Sequence, residues 1–155
     1  QYGGHKYAAG LKLKKSNFDI FKNQFESIVK DSVGHKMFTR SFNYDLLIDF
    51  SKLTIENIKI IQRMAPFGLG NKRPVFRTNN CFIDSKLKFL GKDQQIVKSI
   101  IKDKYETKLS FICFEKKSDL VGLKSPFDIL YNVNLNTFSG QETVELTIRE
   151  LYIKK

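Results

Sequence analysis

One stretch divides this chain into two kinds of structure: Ala65-Pro66-Phe67-Gly68-Leu69-Gly70-Asn71-Lys72-Arg73-Pro74-Val75-Phe76. Before it, Ile55, Ile58, Ile61 and Met64 recur at helical spacing, and from Val75 onward apolar and polar residues alternate as in strands. Proline fixes φ and lacks an N–H, and glycine reaches backbone angles closed to other residues. Two of each at such close spacing specify a shaped loop rather than a slack linker. Asn71, Lys72 and Arg73 add polar and cationic groups to it. Taken alone, such a loop also serves as a plain helix-to-strand connector, so its meaning depends on what flanks it.

Downstream, the alternation predicts five strands, roughly Val75–Asp84, Gln95–Lys102, Tyr105–Glu115, Phe127–Asn136 and Glu142–Ile153. The last is the cleanest, with Val144, Leu146 and Ile148 inward and Thr143, Glu145, Thr147 and Arg149 outward. The polar segment Lys116 to Lys124 has room for one or two helical turns. Five strands with a helical insert after the third is the order of an OB-fold, a small Greek-key barrel. Such barrels hold single strands or oligosaccharides on strands two and three and in the loops after strands one and four. Those places carry Lys86, Lys88, Phe89 and Lys92 in one loop and Phe138 in the other. Arg77 and Lys98, on the first two strands, complete the candidate nucleic-acid contacts. Cations with exposed aromatics suit a stacked, phosphate-bearing strand. The competing reading has Phe89 and Phe138 plugging the barrel ends.

Upstream, Gly3-Gly4-His5-Lys6-Tyr7-Ala8-Ala9-Gly10 is dense in small residues around one histidine. Glycines let a backbone approach a ligand, successive N–H groups can cradle an oxyanion, and His5 can donate to phosphate. Leu11 and Leu13 suggest a short alternating strand. Asn17 is expected to cap a helix with the apolar face Phe18, Phe21, Phe25, Ile28 and Val29. Asp31 to Arg40, with His35, reads as a polar connector, and Ser41 to Phe50 as a strand with Phe42, Tyr44, Leu46 and Ile48 on one face. Thr54 is expected to cap the next helix, which Pro66 ends.

Charge sharpens the picture. The net charge is +11, and the excess lies in two blocks: residues 1–41 hold eight Lys/Arg against three acids, and 65–104 hold nine against three. An anionic partner follows, nucleic acid ahead of membrane, because no basic amphipathic helix accompanies the charge. No apolar run is long enough to cross a bilayer, and no secretory signal pattern opens the chain. Cys81 and Cys113 stand far apart in apolar runs without zinc-ligand spacing, which points to buried free thiols in a reducing compartment. The opening Gln1 without an initiator Met raises the expectation of a piece excised from a longer protein.

The GGHxxAAG octet, a helix, a strand, a helix and PFGxGNxxPxF running into an OB-like region together resemble the C-terminal part of the RecJ exonucleases of the DHH phosphoesterase superfamily. The resemblance covers essentially the whole chain. It implies an α+β, mainly β architecture, with a five-stranded OB barrel preceded by a truncated α/β DHH-associated subdomain. Residues 1–40 would be the remnant of the DHH-associated domain, 41–64 a bridging strand and helix, and 65–155 the OB-fold. The implied activity of the whole enzyme is five-prime to three-prime hydrolysis of single-stranded DNA in repair and recombination, in the bacterial cytoplasm. Gly3, Gly4 and His5 would bind substrate phosphate, and the loop residues Phe67, Gly68, Gly70, Asn71 and Arg73 would lie near the cleft. Manganese or magnesium would be held by a DHH domain that this sequence does not include, so no cofactor and no catalytic residue are assigned here, and the piece alone is expected to be inactive. The family commonly has Trp where this chain has Phe138, which keeps a stacking face and loses an indole donor. The implied partner is single-stranded DNA, and acidic tails such as those of single-strand-binding proteins are the partner under a rival reading of the positive surface. The rival readings are a non-catalytic OB-fold tether for nucleic acid and a protein-interaction module.

Overall fold

The computed structural model describes residues 2–33, 42–114, 120–138 and 140–153, and the chain divides into two compact units, Gln1–Phe42 and Asn43–Lys155. Most of the connector expected over Asp31–Arg40, His35 included, lies outside the described residues, as does the first part of the Lys116–Lys124 segment.

The first unit holds a hairpin and a helix. Strand β1, Tyr2–His5, pairs antiparallel with β2, Ala8–Leu11, with Gly3 opposite Gly10 and His5 opposite Ala8. The small-residue octet is therefore a β-hairpin rather than an open loop, and its second strand stops at Leu11, short of Leu13. The hairpin itself uses Gly4: a Cβ there would lie 2.6 Å from Ala9 Cα and 2.7 Å from Ala8 O. Helix α1, Phe18–Val33, follows a 3-10 turn at Lys15–Asn17. Asn17 sits inside that turn, its N–H donating to Lys14 O at 2.9 Å. The helix runs beyond Asp31, supported by a Glu26–Lys30 pair at 2.9 Å, the i,i+4 spacing that brings side chains together on one face. Phe21 and Phe25 stack at 5.7 Å on the apolar face the sequence predicts.

The second unit is the barrel. In chain order it has β3 (Leu46–Leu47), a 3-10 turn (Phe50–Lys52), α2 (Ile55–Gln62), β4 (Phe76–Ile83), β5 (Lys88–Leu90), β6 (Ile96–Lys102), β7 (Lys108–Phe114), β8 (Phe127–Asn136) and β9 (Thr143–Ile153). Five of these form a ring in the order β4-β8-β9-β7-β6, closed by Phe82↔Lys102 and Ile83↔Ile101 between β4 and β6. Within the ring β7 and β9 run parallel, and every other pair is antiparallel. A five-stranded Greek-key ring of this order is an OB-fold. Closure removes the exposed strand edges that otherwise invite aggregation.

Two segments differ from the sequence expectation. The strand read over Ser41–Phe50 shrinks to Leu46–Leu47, parallel to Phe76–Arg77. Asp45 turns its carboxylate to the Val75 N–H (2.8 Å), and the Phe50 N–H goes to Asp103 (2.9 Å), so the chain leaves the sheet for the 3-10 turn. Conversely, Lys88–Leu90, expected as loop, forms β5 along the edge of β6. Thr54 does cap α2, its hydroxyl accepting from Asn57 N–H at 3.2 Å.

The core explains why the segment before the loop belongs with the barrel. Phe50, Leu53 and Ile58 are buried in the same cluster as Phe76, Val97, Ile101, Phe111, Phe127 and Leu146. Phe50 meets Tyr131 edge-on at 6.1 Å. The Tyr131 hydroxyl lies 2.8 Å from Thr78 Oγ1, which in turn donates to Ile48 O at 2.6 Å. Asp103, fully buried, accepts from the N–H groups of Phe50 (2.9 Å), Tyr105 (3.0 Å) and Thr107 (3.1 Å). It ties the β6–β7 turn to the segment leading into α2. Cys81 and Cys113 are buried free thiols, and burial pushes the Cys81 thiol far above its ordinary pKa, with Asp103 and Asp128 adding to the shift. No described helix is long and apolar enough to cross a membrane.

Candidate nucleic-acid interface

The Pro/Gly loop is a clasped turn. Gly68 N–H donates to Asn71 O (2.8 Å) and Asn71 N–H returns to Gly68 O (3.2 Å), while Gly70 takes φ +88°, a left-handed angle that favours glycine. The Asn71 amide donates to Met64 O (2.8 Å) and Pro66 O (2.9 Å), so this side chain locks the loop onto the end of α2. Below the turn, the Arg73 guanidinium lies over the Phe67 ring at 5.0 Å and donates to Asn134 Oδ1. Loop and barrel together line a groove of about 630 Å³, with Asn43, Asp45, Phe67, Gly68, Lys72, Arg73, Val75 and Arg149 in its walls.

Strand alternation lays out the outer face of the barrel. Val97, Ser99 and Ile101 face inward from β6, leaving Ile96, Lys98 and Ile100 outside. Across the strands, register aligns Lys88, Lys98, Ile112, Thr147 and Asn132 in one row, and Leu90, Ile96 and Phe114 in the next. Of the cations read from sequence, Lys86, Lys88 and Lys92 are exposed with no carboxylate partner among the described residues. Lys98 is paired, its ammonium 2.5 Å from Glu145, which also accepts from the Asn136 amide at 3.2 Å. Arg77 is paired as well. Its guanidinium donates to Asp128 (2.9 Å) and Asn79 (2.8 Å) and covers the Tyr44 ring at 5.4 Å; the bond to Asp128 is the main reason its pKa is raised.

The aromatics separate in the same way. Phe138 stands fully exposed on the β8–β9 turn, its N–H donating to Asn136 Oδ1 at 2.9 Å. Phe89 instead lies on the inward row opposite Val97 and packs against the core. The aromatic that β7 presents outward is Phe114, about half exposed. Sequence reasoning missed it because it ends an apolar run that reads as core throughout. It also passed over Arg149, although the alternation of β9 places that residue outside. Arg149 Nε donates to Asn132 Oδ1 at 2.5 Å, and the Asn132 amide donates to Pro74 O at 2.5 Å.

In the hairpin unit, Gly3, Gly4 and His5 are exposed, and His5 Nδ1 accepts the Tyr7 N–H at 3.2 Å. A Cβ at Gly3 would meet nothing within 4 Å, so that position is open, whereas Gly4 is filled by its own hairpin. Among the described residues, no three His, Cys, Asp or Glu side chains gather where they could hold a metal ion.

A closed Greek-key barrel with unpaired lysines and exposed aromatics on its surface defines an OB-fold domain of the oligonucleotide-binding kind. The family profile described as the RecJ OB domain matches residues 44–150, and this chain belongs to that family. Its relatives include the single-stranded-DNA-specific exonuclease RecJ of Bacillus subtilis, 22% identical over 156 residues, covering 99% of this chain and 20% of that protein. The Haemophilus influenzae protein of the same name is 22% identical over 152 residues, covering 96% of this chain and 26% of its own length. The chain thus spans only a fifth to a quarter of these relatives. Among solved structures, RecJ from Thermus thermophilus in complex with Mn2+ matches with a TM-score of 0.68 and 21% identity, over 100% of this chain and 22% of that one. The Mg2+ complex of the same protein gives 0.66 at 22% identity.

Proposed function

We propose that this chain is the C-terminal part of a single-stranded-DNA-specific exonuclease and supplies its grip on the single strand. Membership of the RecJ OB domain family carries the reading, and the unpaired Lys86, Lys88 and Lys92 beside an outer face bearing Phe114 support it. Lysines without carboxylate partners are free to replace the counterions of a phosphate backbone, and exposed aromatics accept stacked bases of any sequence. Within the whole enzyme, residues 1–40 belong to the DHH-associated domain, 41–64 bridge, and 65–155 form the grip. Gly3, Gly4 and His5 contact substrate phosphate there, and the Phe67–Arg73 loop lies beside the cleft. Manganese or magnesium acts in the DHH domain of that enzyme, which works in the cytoplasm in repair and recombination.

The test is fluorescence anisotropy of the 155-residue chain with a labelled oligothymidine, a duplex of equal length, and an acidic peptide as competitor. The single strand should bind more tightly than the duplex, the peptide should compete only weakly, and no nucleotide should be released when manganese is added. Preferential binding of the peptide would favour a protein-interaction module. In the full-length enzyme His5→Ala should lower turnover; unchanged turnover would favour a simple tether.

A further inference from the structure

We infer that the groove under the Pro/Gly loop is a second phosphate-binding subsite, built by Lys72, Arg73 and Arg149; the inference rests on the single-strand reading above. Around the barrel, most cations on the strands meet a carboxylate: Arg77 with Asp128, Lys98 with Glu145, Lys102 and Lys108 with Asp84. The groove is arranged differently. Each of its arginines is held by the neutral side-chain carbonyl of an asparagine on β8, Arg73 by Asn134 and Arg149 by Asn132. Such contacts fix a guanidinium in place without cancelling its charge, and they leave its remaining N–H groups available for an oxyanion.

The supporting amides are themselves anchored. Asn134 donates to Thr147 Oγ1 at 2.9 Å, and Asn132 donates to Pro74 O. The one carboxylate in the walls, Asp45, accepts the Val75 N–H at 2.8 Å, and no described residue pairs it with any of the three cations. Lys72 is exposed beside the same turn. Three cations face one acid in a space of about 630 Å³, a volume that admits a phosphodiester with its sugar. Phe67, already under Arg73, floors the site with an apolar face. The ligand class is the sugar-phosphate backbone of a single strand.

The experiment measures oligothymidine affinity and its salt dependence for the 155-residue chain and four variants: Arg149→Gln, Lys72→Gln, Asn134→Asp, and the loop triple Lys86→Ala/Lys88→Ala/Lys92→Ala. Matching circular dichroism and melting temperature establish that each is folded. Arg149→Gln should weaken binding about tenfold, the loss of a charge-assisted contact, and lower the salt slope by about one. Lys72→Gln should lower the slope by a similar amount. Asn134→Asp keeps the shape of the site but neutralises Arg73 in place, so it should weaken binding while leaving stability equal or higher. If the wild type binds and the loop triple weakens it, yet the groove variants bind as wild type, the subsite is refuted and the single-strand reading stands. If the wild type itself does not bind, the single-strand reading fails and the subsite with it. Groove variants that lose an acidic peptide but keep the oligonucleotide would equally overturn the assignment.

Discussion

Single side chains decide how the loops of this barrel are held. Asp103 satisfies three backbone N–H groups from two separate segments inside the core, so Asp103→Ala strands buried donors. Hydrogen bonds to a charged acceptor are worth about 1.5–3 kcal/mol each and are not additive, so a loss of about 3–5 kcal/mol is expected in urea unfolding. A loss below about 1 kcal/mol would mean that water replaces the carboxylate. Cys81 gives a second residue-scale test. Burial holds its thiol protonated, so an alkylating reagent should label it at pH 8 only after denaturant is added. Asp84 behaves in the opposite sense to a buried thiol. Its bond to Lys108, with Lys102 nearby, holds its carboxyl below the ordinary range. The stabilisation is full above the unfolded carboxylate pKa and is lost as the pH falls through the lowered native value. Asp84→Asn should therefore lower stability at neutral and alkaline pH, flatten the acid side of a pH–stability curve, and converge with the wild type at the acid end.

At the scale of elements, helix α2 and the 3-10 turn before it act as part of the barrel. Ile58, Phe50 and Leu53 fill its core, and the clasped loop sets the angle at which the chain enters β4. Ile58→Ala should cost about 2–5 kcal/mol, the range for removing a buried branched side chain, read as a shift in the denaturation midpoint without a change in slope. Ring strands such as β6 and β9 were legible because they alternate between core and more exposed positions, β8 reads instead as one run buried from Phe127 to Val133, and the helix before the loop keeps a 3.6-residue period. What escaped depends on pairing partners that the local pattern does not reveal. Lys88–Leu90 is a strand only because β6 offers an edge, and of the strand expected over 41–50 only Leu46–Leu47 is one, because Asp45 binds the Val75 N–H and the Phe50 N–H goes to Asp103. Phe89 stands among lysines and Phe114 ends an apolar run, yet register sends the first to the core and the second outside.

For the molecule as a whole, the distribution of charge matters more than its total. The +11 net charge already counts every acid, and the acids paired along the strands sit beside Arg77 and Lys98, so these two are not free cations. Among the described residues, the cations of the barrel unit without a carboxylate partner include Lys86, Lys88 and Lys92 in the β4–β6 connection and Lys72, Arg73 and Arg149 at the Pro/Gly loop. That residue choice was only half visible beforehand: Lys86, Lys88 and Lys92 stood out as a run, whereas the role of Arg149 depends on an asparagine seventeen positions away. The most direct test of the account is the salt slope of oligothymidine binding, wild type against the Lys86→Ala/Lys88→Ala/Lys92→Ala variant. The account predicts a steep linear fall of log affinity with log salt for the wild type, and a slope shallower by about two to three for the variant. Equal slopes would contradict it.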